Sequence, residues 1–159
     1  MKVKITKWYN MLLAALFTLL GFESCSGSLN EDTTPVEYGT PNISFQVKGR
    51  VRAENGANVK GIRVTTKLNR SSWDGRDTVY TDAEGKYATK KLRGFNEKYL
   101  KEDLVITFED VDGVVNGGVF EKDSLKGTEA VVHQKGKGSG WYDGDFEVTA
   151  DKKLKKTDI

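Results

Sequence analysis

An all-β fold, an antiparallel sandwich of about seven strands, follows from three features of the sequence. Apolar residues alternate strictly with polar ones in several stretches, glycine and Asn-Gly or Asp-x-x-Gly turns separate those stretches, and Val, Thr, Tyr and Phe outweigh leucine once the N-terminus is set aside. The N-terminus itself reads differently. Lys2, Lys4 and Lys7 precede "MLLAALFTLL", residues 11–20, in which only Thr18 is polar. A basic segment followed by an apolar core too short to span a bilayer predicts a secretory signal helix.

The only cysteine, Cys25, stands directly after this segment in "FESC". A lone cysteine in an exported chain has no disulfide partner of its own, and Ser24 is the small residue expected beside a lipid-modified cysteine. "GFESC" resembles a lipobox, although Phe22 and Glu23 depart from the usual pattern. The resemblance implies a signal peptide over 1–24 and acylation of Cys25, with two or three chains such as palmitate forming a stable anchor. A free thiol is the alternative. The expected location is the cell envelope, on the outer membrane at its periplasmic or surface face, with the inner membrane as the other destination.

Charge supports no nucleic-acid partner. Three of the 25 basic residues and one of the 23 acidic ones fall within the first 24 positions, so the remainder holds 22 of each. Residues 25–41, with both prolines and no apolar periodicity, read as a flexible tether. A single domain is expected over 42–159.

Each strand of that domain has its own signal. Ile43, Phe45, Val47, Val51 and Ala53 fall on one face of "ISFQVKGRVRA", with Gly49 in the remaining slot. "ENGAN" predicts a hairpin turn, after which Ile62, Val64 and Leu68 point inward. "NRSSWDGRD" (69–77) is a polar loop. "TVYTDAEGKYATKKL" predicts a second hairpin with its turn at 82–85. "RGFNEKYLKEDL" has room for a short helical turn. Leu104, Ile106 and Phe108 mark the next strand, "TEAVVHQ" another, and Phe146, Val148 and Ala150 the last.

Two resemblances rest on these segments. "VKGRVRAENGANVKGIRV" (47–64) followed by "TDAEGKYAT" (81–89) resembles the carboxypeptidase-regulatory-like domain, which implies an Ig-like, transthyretin-like sandwich and no particular activity. The cysteine, "EYGTP" (37–41), "DVDGVVNGG" (110–118) and "GWYDGDF" (140–146) together are similar to the small lipoproteins of radical SAM/lipoprotein systems. That family implies association with a radical SAM enzyme. The function expected is that of a non-enzymatic binding or structural envelope module, with a glycan or envelope protein as partner. The alternative is a substrate protein that the radical SAM enzyme modifies.

Catalysis is not expected, and no catalytic residue is assigned. His133 is the sole histidine, no nucleophile elbow occurs, and "GKGSGWYDG" lacks the ending of a phosphate loop. The one cofactor considered is Ca²⁺, with Asp110, Asp112 and Asn116 as donors in a glycine-rich loop; the alternative is a tight turn whose aspartates bind backbone amides. Trp73, Trp141 and Tyr142 are candidates for stacking on a ligand or partner, Trp141 alternatively closing the end of the core. "DTT", "DTV" and "DSL" resemble an acidic–hydroxyl–apolar O-glycosylation triplet, which nominates Thr33, Thr78 and Ser124.

Overall fold

The computed structural model describes residues 8–13, 15–16, 39–69 and 75–157. The chain divides into two units, Met1–Tyr38 and Gly39–Ile159. In the first, residues 8–13 and 15–16 are helical, and no described helix is long and apolar enough to cross a membrane. Cys25, Thr33 and Trp73 lie outside the described residues.

The second unit is a two-sheet sandwich. Its strands are β1 (Asn42–Ala53), β2 (Arg63–Leu68), β3 (Arg76–Tyr80), β4 (Lys86–Ala88), β5 (Leu92–Gly94), β6 (Leu104–Glu109), β7 (Asp123–Lys126), β8 (Val131–Ser139), β9 (Tyr142–Thr149) and β10 (Lys152–Leu154), with one helix, α1 (Glu97–Glu102). One sheet has the order β10-β1-β9-β8, with β4 and β5 also paired to β1; the other has the order β3-β2-β6-β7.

The alternation seen in the sequence is the alternation of burial. Ile43, Phe45, Val47 and Val51 of β1 face Val64 and Leu68 of β2 and Leu104, Ile106 and Phe108 of β6 in one core, to which Phe146, Val148 and Ala150 contribute from the β9 side. α1 begins at Asn96, whose side chain accepts the Tyr99 N–H, and sends Leu100 into the same core.

Three expectations are corrected. Ten strands form, because β4, β5 and β10 have three residues each and are too short to display an alternation. The first sheet is not wholly antiparallel: β9 and β10 both run parallel to β1, as in the pairs Phe45–Phe146 and Val51–Lys152. The turns at "ENGAN" and "DAEG" form, with Gly56 at φ 86° and Gly85 at φ 71°, but neither joins two strands of one sheet. β1 and β2 lie in different sheets, as do β3 and β4. The reason lies just beyond each turn. The chain returns beside the end of β1 only as far as Val59, through Ala53 N–H to Ala57 O and Val59 N–H to Val51 O; Val59 and Ile62 are then both buried at a spacing that breaks period two, and the chain crosses to the other sheet. Buried Thr81 does the same for the second turn, donating to Val59 O (2.8 Å) and accepting from the Ile62 N–H (3.0 Å).

One ion pair joins the sheet edges. Lys152 of β10 lies 2.6 Å from Asp123 of β7 and also donates to Ser124 O. The Lys152 ammonium holds the Asp123 carboxyl below its ordinary value. A folded-state value below the unfolded one means stability present above the ordinary carboxylate range and lost as pH falls through it. Lys152→Gln is therefore expected to shrink the Tm difference between about pH 7 and about pH 3, most of the loss appearing at the higher pH. Thermal scans at the two pH values check this; an unchanged difference would mean the pair contributes nothing to acid sensitivity.

Candidate functional site

The outward face of the first sheet changes character along β1. Near its middle, carboxylates and amines neutralise one another: Glu147 pairs with Lys48 (2.8 Å) and Lys135 (3.8 Å), and Asp145 with Lys91 (2.6 Å). Hydrogen bonds and charge from Lys48 and Lys91 hold these two acids below their ordinary values. Further along, Arg50, Arg52 and Lys86 have no such partners among the described residues. Lys48, Arg50 and Arg52 fall on alternate residues of β1, beside Lys86 of β4, in a groove of about 650 Å³ that Tyr80, Asp82, Thr149 and Asp151 help to line.

Both acids of the groove are engaged by the backbone. Asp82 accepts the amides of Glu84 and Lys86 (3.0 and 2.8 Å), and Asp151 accepts the Arg50 N–H (2.8 Å). Among the described residues, Arg50, Arg52 and Lys86 have no ion-pair partner. The floor is Tyr87, buried and donating to Ala150 O at 2.6 Å. Burial first, and Asp151 second, push its phenol well up, so it stays protonated and serves as a fixed prop. The groove can therefore hold an anion through guanidinium forks and an ammonium, with Tyr80 exposed at its rim.

In the sequence alone, Lys48, Arg50 and Arg52 read only as the wet face of a strand. The available signal was "KGRVR", three cations on one face with no acid interleaved. Partnership with Lys86 and Tyr80 depends on the crossover of the chain at 81–85 and has no local signature.

The nominated loop forms a hydrogen-bonded turn. Asp110 Oδ1 accepts the amides of Asp112 (3.2 Å) and Gly113 (3.1 Å), and Oδ2 accepts that of Phe120 (2.9 Å). Asn116 donates its side-chain amide to Asp112. Burial and the neighbouring Asp110 raise the Asp112 carboxyl above its ordinary value. Asp112 and Asn116 press on Gly61, where a Cβ would lie 2.3 Å from Asp112 Oδ2. Both Asp110 oxygens and Asp112 Oδ2 thus accept from protein donors, and no group of three or more His, Cys, Asp or Glu side chains placed to hold a metal occurs among the described residues.

Trp141 covers the start of the domain. A Cβ on Gly39 would come within 2.9 Å of its indole, and its carbonyl accepts both the backbone and side-chain amides of Asn42. Tyr142 is half-buried and assists Lys91 in holding Asp145 charged. Thr78 and Ser124 are exposed on β3 and β7, and His133 is exposed on β8.

No family model and no curated protein matches the chain. Solved structures show a partial likeness to it. It is similar to 3-chlorocatechol 1,2-dioxygenase from Rhodococcus opacus (14% identity, TM-score 0.46, covering 77% of this chain and 64% of that one). It is also similar to the dioxygenase domain of a dioxygenase carbohydrate-binding protein fusion from a Streptomyces species (15%, 0.45, 77% and 86%) and to a C-terminal fragment of the pilus adhesin SpaC from Lactobacillus rhamnosus (16%, 0.36, 73% and 46%). The chain thus spans less than two thirds of the Rhodococcus enzyme. The fold is a β-sandwich. One expectation is overturned by these likenesses: the chain was read as not an enzyme, yet sandwiches similar to it belong to enzymes, so the fold gives no ground for excluding catalysis. At these identities the likeness concerns fold alone and brings no reaction with it.

Proposed function

We propose that the protein is an exported lipoprotein, anchored through Cys25, that holds an anionic ligand of the cell envelope in the groove of Arg50, Arg52 and Lys86. The observation that carries the reading is the concave cluster of cations without ion-pair partners, on a rigid strand and above a buried tyrosine. The groove's cations outnumber its two carboxylates, Asp82 and Asp151, and an excess of positive charge in a recess costs folding energy through self-repulsion that an entering anion relieves. The groove also lies towards the end of β1 remote from Gly39, roughly 30 Å along the strand from Asn42 at the usual strand rise.

Two measurements test this on protein purified from its native membrane. Mass spectrometry is expected to show an acylated peptide beginning at Cys25; an unmodified cysteine would remove the anchor from the reading. A side-chain modification by a radical SAM enzyme would register in the same spectrum as a further mass increment. Citrate, a compact trianion, is expected to raise the Tm, and Arg50→Gln and Arg52→Gln each to weaken that binding roughly tenfold, the value of one charge-assisted hydrogen bond. A citrate shift that survives both substitutions would place the anion elsewhere.

A further inference from the structure

The register of the second sheet aligns four hydroxyls that are scattered in sequence. Thr78 pairs with Thr65, Thr65 with Thr107, and Thr107 with Ser124, one from each of β3, β2, β6 and β7. All four stand on the face turned away from the core, since Val64, Thr66 and Leu68 of β2 and Ile106 and Phe108 of β6 point inward. Thr78 and Ser124 are exposed, Thr65 and Thr107 half-exposed, and the Thr65 and Thr78 hydroxyls lie 3.4 Å apart. With strands about 4.8 Å apart, the row is about 14 Å long.

The next outward row, two residues along each strand, is Arg76–Lys67–Val105–Lys126. Its three cations are exposed and have no ion-pair partner among the described residues. The one carboxylate on the opposite flank, Glu109, is neutralised by Arg63 (2.6 Å) and Lys122 (3.7 Å). A straight line of hydroxyls beside a line of unpaired cations thus crosses all four strands.

We propose that this face binds an anionic polysaccharide of uronic acids. The polymer lies across the strands, its ring hydroxyls bonded to the Thr78–Thr65–Thr107–Ser124 row and its carboxylates reaching Arg76, Lys67 and Lys126. The strand spacing matches the advance of about one sugar ring per strand, and the separation of the two rows, roughly 7 Å along a strand, is within reach of a lysine or arginine side chain. Hydroxyl rows select a sugar and cations select its charge, so neither a neutral glycan nor a non-sugar polyanion satisfies both. The groove's cations lie on the other sheet, the groove meeting this one at Tyr80 of β3, and the proposal does not depend on them.

The test is titration of the full-length, detergent-solubilised protein with polygalacturonate, with dextran as the uncharged control. Binding is expected for the first polymer and not the second. Thr65→Val with Thr107→Val keeps shape and β-propensity but removes two hydroxyls; Lys67→Gln with Lys126→Gln removes two charges. Each pair is expected to weaken binding at least about tenfold, while Thr65→Ser with Thr107→Ser retains it and Arg50→Gln with Arg52→Gln leaves it unchanged. Equal affinity for dextran, or full affinity in the valine pair, would overturn the proposal. So would loss of binding in the groove pair alone, which would assign the polymer to the groove.

Discussion

Phe108→Ala is expected to destabilise the sandwich by about 3–5 kcal/mol, the usual cost of truncating a buried phenylalanine. Phe108 has no exposed surface and lies in the middle of the core, on β6 between β2 and β7. Its ring meets Tyr87 edge-on, 5.9 Å between centroids at 76°. The substitution removes both the buried area and an aromatic contact of about 1 kcal/mol, and it leaves a cavity that rigid strands on both sides cannot close. Denaturant titration should show a lower midpoint at unchanged slope. Phe108→Leu, which refills much of the space, should recover more than half of the loss; equal damage from both would point to a packing role other than volume.

The second large effect comes from adding atoms. A Cβ at Gly49 would lie 2.1 Å from Ala150 O and 3.0 Å from Tyr87 Oη. Gly49 is the place where the chain leaving β9 comes hard against β1, its close approach fixed by Ala150 N–H donating to Lys48 O at 2.8 Å. One methyl group there must push the strand away and break the Tyr87–Ala150 hydrogen bond. Overpacking typically costs about 1–3 kcal/mol and the hydrogen bond about another 1, so Gly49→Ala is expected to lose about 2–4 kcal/mol in denaturant titration. Tyr87→Phe alone removes only the hydrogen bond, and the double variant should be less destabilised than the sum, because the two changes break one shared contact. Full additivity would show that the two sites do not communicate. Since Gly49 and Tyr87 also line the groove, citrate binding should weaken in parallel.

How much of this was legible in the sequence depends on whether a feature is local. The long strands announce themselves, since Ile43 to Val51 and Leu104 to Phe108 alternate over enough residues to define a face. β4, β5 and β10 do not, because three residues offer at most one repeat. The turns were legible as reversals, but whether a reversed chain pairs or crosses was decided by Val59, Ile62 and Thr81, whose burial is a property of the assembled sandwich. Of the candidate site residues, Asp110 and Trp141 have side chains suited to a ligand, yet in the fold the Asp110 carboxylate and the Trp141 carbonyl hold the backbone in place. The groove and the hydroxyl row are assembled from separated segments, and although Thr78 and Ser124 stand out singly, the register that aligns them with Thr65 and Thr107 is not written in any one segment.

The parallel pairing of β1 with β9 and β10 has a mechanical consequence. If the chain is held at its N-terminus and a ligand grips Arg50 and Arg52, tension runs along a single strand, from the tether to the groove. β1 is flanked over its first residues by β9 on one edge and β5 on the other, and further along by β4 and β10. Pulling along its axis loads these ladders in shear, many hydrogen bonds at once, whereas a strand drawn from its end at right angles would unzip them one by one. The domain is built to resist a load applied along β1, between Asn42 and Arg52.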